Sequence, residues 1–227
     1  MAYLDAHYHR VISSLKIRNV VPLMYLYEHE LENGEHVLWI ILPRYSRSLR
    51  DYLYKNIQTI TLDSVLNFAI NIAETLVALH QNEIVHRDIK ASNILLDENY
   101  VCYLTDFGTA REGTFNDTIV GTMPLPPEMI SALNNESGMV FTYNGAAADI
   151  YSFGLLLYEM HPKPYYQRIH PQRFEEVQHL LQQHNVRSVT GFAAIAKLIE
   201  ACAQDKPSAR PSAQTVLDRL MEGNQLD

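Results

Sequence analysis

Two short polar motifs lie at a fixed separation in this chain and limit the folds that it can adopt. Residues 86–93 read His-Arg-Asp-Ile-Lys-Ala-Ser-Asn, and the triplet Asp106-Phe107-Gly108 begins eighteen positions after Asp88. At about 5% usage per residue type, five specified residues at these offsets arise by chance with odds on the order of 10⁻⁴ in a chain of this length. The second motif makes coincidence negligible, so the two segments are predicted to work together.

A short β-hairpin is predicted between the two motifs. Residues 94–96 and 101–104 are apolar and β-forming, and they flank the turn-forming residues 97–99. Such a hairpin would bring Asn93 next to Asp106, and both residues offer the hard oxygen ligands that Mg²⁺ prefers. The sequence therefore predicts a shared metal site. The alternative, in which these polar residues have structural roles alone, leaves the joint pattern unexplained.

The motifs resemble the catalytic loop and the magnesium-binding triplet of eukaryotic-type protein kinases. Lys90, two residues after Asp88, is similar to the serine/threonine type, and residues 149–159 are similar to the tyrosine-kinase-like group. The resemblance covers nearly the whole chain and implies an α+β, protein-kinase-like fold. Its expected parts are a truncated β small lobe in 1–44, a mostly helical large lobe in 45–222 and a tail in 223–227.

The resemblance also implies a reaction, the Mg²⁺-dependent transfer of the ATP γ-phosphate to protein hydroxyls. Asp88 would accept the proton of the substrate hydroxyl, Lys90 would place a cation beside the transferring phosphate, and Asn93 would complete the catalytic set. Asn93 and Asp106 are the expected metal ligands. The residues expected to contact ATP are Pro43, Tyr45, Lys90, Asn93, Leu95 and Asp106, with Pro43 and Tyr45 in the hinge.

The chain also departs from the family pattern. It contains no G-x-G-x-x-G segment and no Val-Ala-Ile-Lys strand, so the first three small-lobe strands are expected to be absent and the rest of the small lobe to be frayed. Counting back from Leu15 and Val21 places Tyr8 where the family has the glutamate that holds the strand lysine. Losing two or three charge-assisted phosphate contacts would lower affinity or rate by about 10³ to 10⁵.

Two hypotheses about function follow from these departures. The first is a serine/threonine protein kinase whose sequence here is an incomplete version of a longer functional chain, so that weak or absent activity is expected without the Gly-rich loop and the strand lysine. The alternative is a pseudokinase or scaffold that acts as a protein-binding module. A regulatory partner that completes the small lobe is a further expectation.

Local patterns predict the main elements. Helical spacing of apolar residues indicates helices over residues 4–16 and 63–81, the latter with Thr61 or Asp63 as its cap. The Asn33-Gly34 pair predicts a hairpin joining strands in 20–27 and 37–42. Residues 146–160 are apolar on nearly every face, which is typical of a fully buried helix.

Two long-range contacts are implied by the resemblance. Asp149, inside the buried helix, is expected to accept hydrogen bonds from the catalytic-loop backbone. Arg210 is expected to pair with Glu128, and removing one partner of such a buried ion pair should cost about 3 to 5 kcal/mol.

Composition limits the partners and the compartment. The net charge of −8 without a basic cluster argues against nucleic acid as a partner. The longest apolar runs fall short of the roughly 18 residues that span a bilayer, so no membrane span is expected. Two isolated cysteines and the lack of a signal-peptide pattern lead us to expect a cytoplasmic location.

Overall fold

The chain folds into α-helices and short β-strands, and a computed structural model describes residues 2–34, 36–56, 59–113, 115–116, 125–133, 142–161, 174–183 and 192–223. In this part of the chain the helices are α1 (Ala2–Ser14), α2 (Leu49–Asn56), α3 (Leu62–Gln81), α4 (Pro127–Leu133), α5 (Gly145–Glu159), α6 (Phe174–Gln183), α7 (Phe192–Cys202) and α8 (Ala213–Gly223). The strands are β1 (Tyr25–Glu30), β2 (His36–Ile41), β3 (Arg47–Ser48), β4 (Ile84–Val85), β5 (Ile94–Leu96), β6 (Cys102–Leu104), β7 (Arg111–Glu112), β8 (Phe115–Asn116) and β9 (Thr142–Tyr143). The predicted α+β class is confirmed.

Helix α3 lies in the centre of the core and packs against α5 and α8. It begins at Leu62 because the side chain of Thr61 accepts a hydrogen bond from the Ser64 N–H, so Thr61 rather than Asp63 is the cap. Its apolar stripe, from Val65 to Leu79, is buried as the sequence spacing predicts. This helix delivers the chain directly to residues 86–93.

By length and composition alone, α3 is also apolar enough to cross a membrane, and no other helix in the described residues is. Half of that apolar stretch is buried inside the protein, and core helices commonly pass the same test. The absence of a membrane span stays a prediction.

Helix α5 is buried on nearly every face, as its sequence predicts, although it starts and ends one residue earlier than the 146–160 pattern suggested. The Asn144 side chain accepts a hydrogen bond from the Ala147 N–H at 3.0 Å and so caps the helix. A β-carbon on Gly154 would lie 2.6 Å from the β-carbon of Cys202. Glycine is therefore required for α5 and α7 to pack this closely.

Strands β1 and β2 form the antiparallel hairpin that the Asn33-Gly34 pair predicts. Gly34 has φ of +79°, a conformation that other residues adopt at a cost, and its N–H donates to the Leu31 carbonyl at 2.9 Å. No described residue of either strand is buried. The hairpin therefore adds little to the core.

The first strand begins at Tyr25, later than the predicted 20–27 stretch. Val20 forms an isolated parallel bridge with Leu104, and the Val21 N–H donates to the Leu104 carbonyl at 2.9 Å. This pairing with a distant strand end removes Val20 and Val21 from the hairpin. It also ties the segment after α1 to the strand that leads into Asp106.

The hairpin predicted between the two motifs is confirmed, with β5 and β6 antiparallel and Ile94 opposite Leu104. Its turn is held by Asp97 Oδ1, which accepts hydrogen bonds from the N–H groups of Asn99 and Val101 at 2.8 and 2.9 Å. Strand β3 pairs with the other edge of β5. The resulting three-stranded sheet carries the chain from the first motif to the second.

The Pro211-Ser212 pair predicts the start of the last helix, with proline in the first turn, but α8 begins at Ala213. Ser212 accepts a hydrogen bond from the Thr215 N–H at 3.1 Å and acts as the cap, so Pro211 precedes the helix instead of occupying its first turn. The resemblance also implies that Thr114 and Thr118 stand where regulatory phosphates are often placed, and both lie outside the described residues.

Candidate active site

Three of the predicted site residues meet at one carboxylate. Lys90 Nζ lies 2.6 Å from Asp88 Oδ2, and Asn93 Nδ2 donates to the same oxygen at 2.9 Å. Asn93 Nδ2 also donates to the Asp88 backbone carbonyl at 3.0 Å. Asp88 retains 9% side-chain exposure and Lys90 retains 31%, so the cluster is sheltered but open at the lysine. The 86–93 spacing thus places a carboxylate, a cation and an amide together.

The backbone on both sides of Thr105 is fixed to the first motif. The Thr105 N–H donates to the Asn93 carbonyl at 3.0 Å, and His86 Nε2 donates to the Thr105 carbonyl at 3.0 Å. Asp106 follows immediately, has φ of +65° and is exposed. The structure therefore sets the backbone of Asp106 beside the loop that carries Asn93, as the hairpin argument requires.

The loop itself is anchored by Asp149, which is completely buried in α5. Its Oδ1 accepts from the Arg87 N–H at 2.7 Å, and its Oδ2 accepts from the His86 N–H and from His80 Nε2, both at 2.9 Å. A buried carboxylate needs such donors to offset its desolvation. The expected contact between Asp149 and the catalytic-loop backbone is confirmed, and His80 is a third donor that the sequence did not reveal.

Phe107 is enclosed by two histidines and tied to α1. Its ring packs edge-on against His9 and His86, with centroids 5.0 Å apart in both cases. Its N–H donates to Asp5 Oδ1 at 2.9 Å. The sequence count placed Tyr8 at the position of the family's helix glutamate. It did not predict this contact, because Tyr8 is buried in the core and Asp5 provides the carboxylate that accepts from Phe107.

Burial shifts the protonation equilibria of the α1 pair in opposite directions. Burial raises the pKa of Asp5, although the nearby His9 and the Phe107 N–H act against that change. Burial lowers the pKa of His9, partly offset by Asp5, whose Oδ1 lies 3.5 Å from His9 Nε2. The local sequence did not predict a role for either residue. Both contact Phe107 of the second motif, which lies about one hundred positions away in the chain.

Two of the residues expected to contact ATP meet the three-stranded sheet, Leu95 as part of β5 and Tyr45 by packing on β6. Pro43 follows β2 and is half-buried, and Leu95 stands opposite Tyr103 in the β5–β6 pairing. The Tyr45 ring packs on the Tyr103 ring with centroids 5.0 Å apart, and burial raises the pKa of Tyr45 to about 12. Tyr103 therefore links the hinge to the strand that carries the chain toward Asp106, a connection that the sequence analysis missed.

Comparison with known proteins identifies the family. The family model of the protein tyrosine and serine/threonine kinases matches residues 6–220. The chain belongs to this family.

Its relatives are serine/threonine kinases. A probable serine/threonine-protein kinase of Dictyostelium discoideum is 30% identical over 188 residues, which are 76% of this chain and 10% of that protein. The serine/threonine-protein kinase STY17 of Arabidopsis thaliana is 29% identical over 179 residues, 76% of this chain and 30% of that protein. The LRR receptor-like serine/threonine-protein kinase ERL1 of the same plant is 34% identical over 164 residues, 66% of this chain and 15% of that protein.

These matches confirm three predictions, namely the family, the protein-kinase-like α+β fold and the class of protein serine/threonine kinase. The chain spans less than a third of the length of each of the three relatives.

The donor set fits the metal that the kinase family uses. Asn93 is oriented by the two hydrogen bonds from its Nδ2, which leaves its amide oxygen on the side away from Asp88. That oxygen and the exposed Asp106 carboxylate are hard ligands of the kind Mg²⁺ prefers. Within the described residues there is no group of three or more His, Cys, Asp or Glu side chains suited to a metal. Mg²⁺ bound together with a nucleotide needs fewer protein ligands, because phosphate oxygens supply the others.

A second kinase feature is the ion pair between Arg210 and Glu128. The guanidinium makes two parallel hydrogen bonds to the carboxylate, at 2.8 and 2.7 Å, and the arginine side chain is completely buried. Arg210 also donates to the Ala147 carbonyl at 3.0 Å and lies over the Tyr151 ring at 4.9 Å. The predicted pair is present, and it joins α4 to the helical core through α5.

Proposed function

We propose that this kinase domain transfers the γ-phosphate of ATP to serine or threonine hydroxyls of a protein substrate. The observation that carries the proposal is the convergence of Lys90 Nζ and Asn93 Nδ2 on Asp88 Oδ2. A catalytically idle lobe has no physical need for a carboxylate, a cation and an amide in this arrangement. The serine/threonine kinase names of the relatives support the choice of acceptor.

In this proposal Asp88 orients the substrate hydroxyl and accepts its proton as the oxygen attacks phosphorus. Lys90, held beside Asp88, carries a positive charge toward the oxygens of the transferring group. Asn93 and Asp106 would hold the magnesium ion, which neutralises charge on the nucleotide phosphates when bound. Pro43, Tyr45 and Leu95 would line the adenine side of the nucleotide site.

A small cavity lies beside Asp88. It has a volume of about 30 Å³, and its described lining combines Asp88 and Lys90 with the apolar side chains of Leu125, Met129 and Leu156. A space of this size holds about one water molecule. It therefore gives the proposed base an apolar neighbour, and the choice of a protein substrate rests on the family and the relatives.

The test is Mg²⁺-dependent transfer of labelled γ-phosphate to a generic basic protein, comparing the wild type with Asp88→Ala. We expect a loss of about 10² to 10⁴ in rate, the usual contribution of a positioned general base. The matched control is Asp63→Ala, which removes an exposed carboxylate in the first turn of α3 and should leave the rate unchanged. Equal rates for wild type and Asp88→Ala would reject catalysis by this site.

One observation favours the alternative, a pseudokinase or scaffold that binds proteins. Tyr25, Tyr27 and Trp39 are 68%, 60% and 57% exposed on the β1–β2 hairpin, and clustered exposed apolar residues are typical of interaction surfaces. A thermal-shift titration with ATP and Mg²⁺ separates the two candidates. We expect stabilisation for the kinase, whereas no shift at millimolar nucleotide would favour the binding module.

A further inference from the structure

A large cavity lies where the C-terminal end of α3 meets the N-terminal ends of α5 and α8. Its volume is about 450 Å³, and we call it the three-helix cavity. Its described lining includes Val77, His80, Gln81, Ile150, Ser208, Ala213 and Gln214. Gln81, Ser208 and Gln214 are exposed, so the cavity opens to solvent. Sites for small molecules usually measure about 300 to 1,000 Å³, so this one is large enough to hold a ligand.

The walls of the three-helix cavity are held by the caps of two helices and by a buried arginine. Ser212 Oγ accepts from the Thr215 N–H at 3.1 Å where α8 begins, and Asn144 Oδ1 accepts from the Ala147 N–H at 3.0 Å where α5 begins. Arg210 donates to the Ala147 carbonyl at 3.0 Å and joins the two regions. The cavity is therefore pre-formed, and a ligand does not have to order its walls.

The lining offers a ligand no unpaired charge. None of the described residues that line the cavity is acidic, and the Arg210 guanidinium is already neutralised by two hydrogen bonds to Glu128. Each of the three helices adds an apolar side chain, namely Val77, Ile150 and Ala213. An ion would lose hydration here without gaining a charged partner. The lining therefore suits an uncharged ligand with an apolar body.

His80 provides the directional contact. Its side chain is 12% exposed, and its Nε2 lies 2.9 Å from Asp149 Oδ2. Because an ionised carboxylate only accepts hydrogen bonds, the proton of the neutral ring stands on Nε2 and a lone pair remains on Nδ1. No described residue forms a hydrogen bond with Nδ1. The buried Asp149 thus fixes the orientation of an acceptor that a ligand can use.

We propose that the three-helix cavity binds an uncharged organic molecule that has an apolar body and an N–H or O–H donor for His80 Nδ1. Val77, Ile150 and Ala213 contact the apolar body. The cavity shares no described residue with the cluster at Asp88, so this inference stands independently of the proposed function.

Indole is the probe, because it is flat, uncharged and carries one N–H donor. It is titrated into the full chain labelled with ¹⁵N-histidine, and the imidazole resonances are followed by NMR. The resonances of His80 are assigned by their loss in His80→Gln. We expect indole to displace the Nδ1 resonance of His80.

Two analogues of indole test the chemistry assigned to the ligand. Benzothiophene has nearly the same shape but no donor, and it should bind about fivefold more weakly, the effect of losing one neutral hydrogen bond. Indole-2-carboxylate adds a charge and should also bind more weakly than indole, because the lining offers that charge no free partner.

Two variants close the cavity without changing His80. Ala146→Phe fills it from a half-buried position in the first turn of α5. Gln214→Trp covers it from an exposed position on α8 and serves if the first variant fails to fold. Each should weaken indole binding at least about tenfold. The matched controls are Ala146→Ser, which keeps the space, and Arg219→Trp, at an exposed position of α8 outside the described lining, and both should bind indole as the wild type does.

Three results would overturn the inference. The first is a His80 Nδ1 resonance that does not move up to the solubility limit of indole. The second is indole binding that is unchanged in both Ala146→Phe and Gln214→Trp, which would place the probe elsewhere. The third is equal affinity for indole and benzothiophene, which would show that the lone pair on Nδ1 is not used.

Discussion

The helical core and the β1–β2 hairpin contain similar residue types but use them in opposite ways. In α5 the apolar residues from Ile150 to Tyr158 are buried, and the buried carboxylate of the helix, Asp149, has three hydrogen-bond donors. In the hairpin, Trp39 and the tyrosines of β1 are exposed, and no described residue of the two strands is buried. Helix α5 holds the catalytic loop through Asp149, and β2 leads into Pro43, which is expected in the hinge.

This difference in burial indicates which part of the proposed active site is the more rigid. The catalytic loop is fixed by backbone hydrogen bonds to a buried helix, so its geometry depends on the stability of the whole core. The hairpin contributes cross-strand pairs but little apolar burial, and two strands on their own are marginal in water. The part of the site formed by residues 86–106 is therefore expected to be more rigid than the part that the hairpin contributes.

The largest effect should come from breaking the buried ion pair of the core. Replacing Arg210 by alanine leaves the Glu128 carboxylate without its partner, and we expect the free energy of unfolding to fall by about 3 to 5 kcal/mol. Chemical denaturation provides the measurement. Arg50→Ala, at an exposed position of α2, is the matched control and should change the stability by less than about 0.5 kcal/mol. Similar values for the two variants would contradict the contrast between a tightly held core and its surface.

An intermediate effect that depends on pH is expected at His9, where α1 meets the second motif. Burial lowers its pKa from the usual 6.5, while Asp5 and Asp106 oppose the shift and His86 adds to it. The unfolded chain therefore takes up a proton that the folded chain excludes. The stability that the neutral ring confers is present above pH 6.5 and is lost as the pH falls toward the lowered value.

Replacing His9 by leucine should flatten this dependence. Between neutral pH and about pH 5 we expect the melting temperature of His9→Leu to fall less than that of the wild type. His7→Leu removes an exposed histidine two residues away, so it should retain the wild-type slope. If the melting temperatures of His9→Leu and the wild type fall equally with pH, the buried ring does not gain a proton when the protein unfolds.

The smallest effect is expected on the hairpin. Trp39 stands opposite Tyr27 and is 57% exposed, so Trp39→Thr should cost less than about 1 kcal/mol of unfolding free energy. Leu76→Ala, in the buried stripe of α3, should cost about 2 to 5 kcal/mol. A Trp39 variant as destabilising as the Leu76 variant would mean that the hairpin is part of the cooperative core.

Elements fixed by local patterns were predicted well from the sequence. The apolar stripe and cap of α3, the Asn33-Gly34 turn and the β5–β6 hairpin each depend on residues within about twenty positions of one another. The grouping of Asp88, Lys90 and Asn93 was also predictable, because eight consecutive positions carry it. In these cases propensity and tertiary structure favour the same conformation.

The remaining features depend on contacts between distant segments. Val20 leaves the predicted strand to pair with Leu104, and Asp5 reaches Phe107 across one hundred positions. Neither contact leaves a periodic signal, because each is specified by how α1 packs against the rest of the fold. The same reason explains the error at Tyr8, where counting along one segment gave no information on which side of α1 faces the second motif.

The bonds from Asp149 to the catalytic loop have a consequence for the exchange of backbone hydrogens with solvent. The amide hydrogens of His86 and Arg87 are both donated to a carboxylate that has no solvent exposure. Solvent deuterons can reach them only when α5 separates from the loop, an event that takes apart the centre of the molecule. We therefore expect these two amide hydrogens to exchange only through global unfolding. Their rate of deuteration then measures the stability of the whole domain.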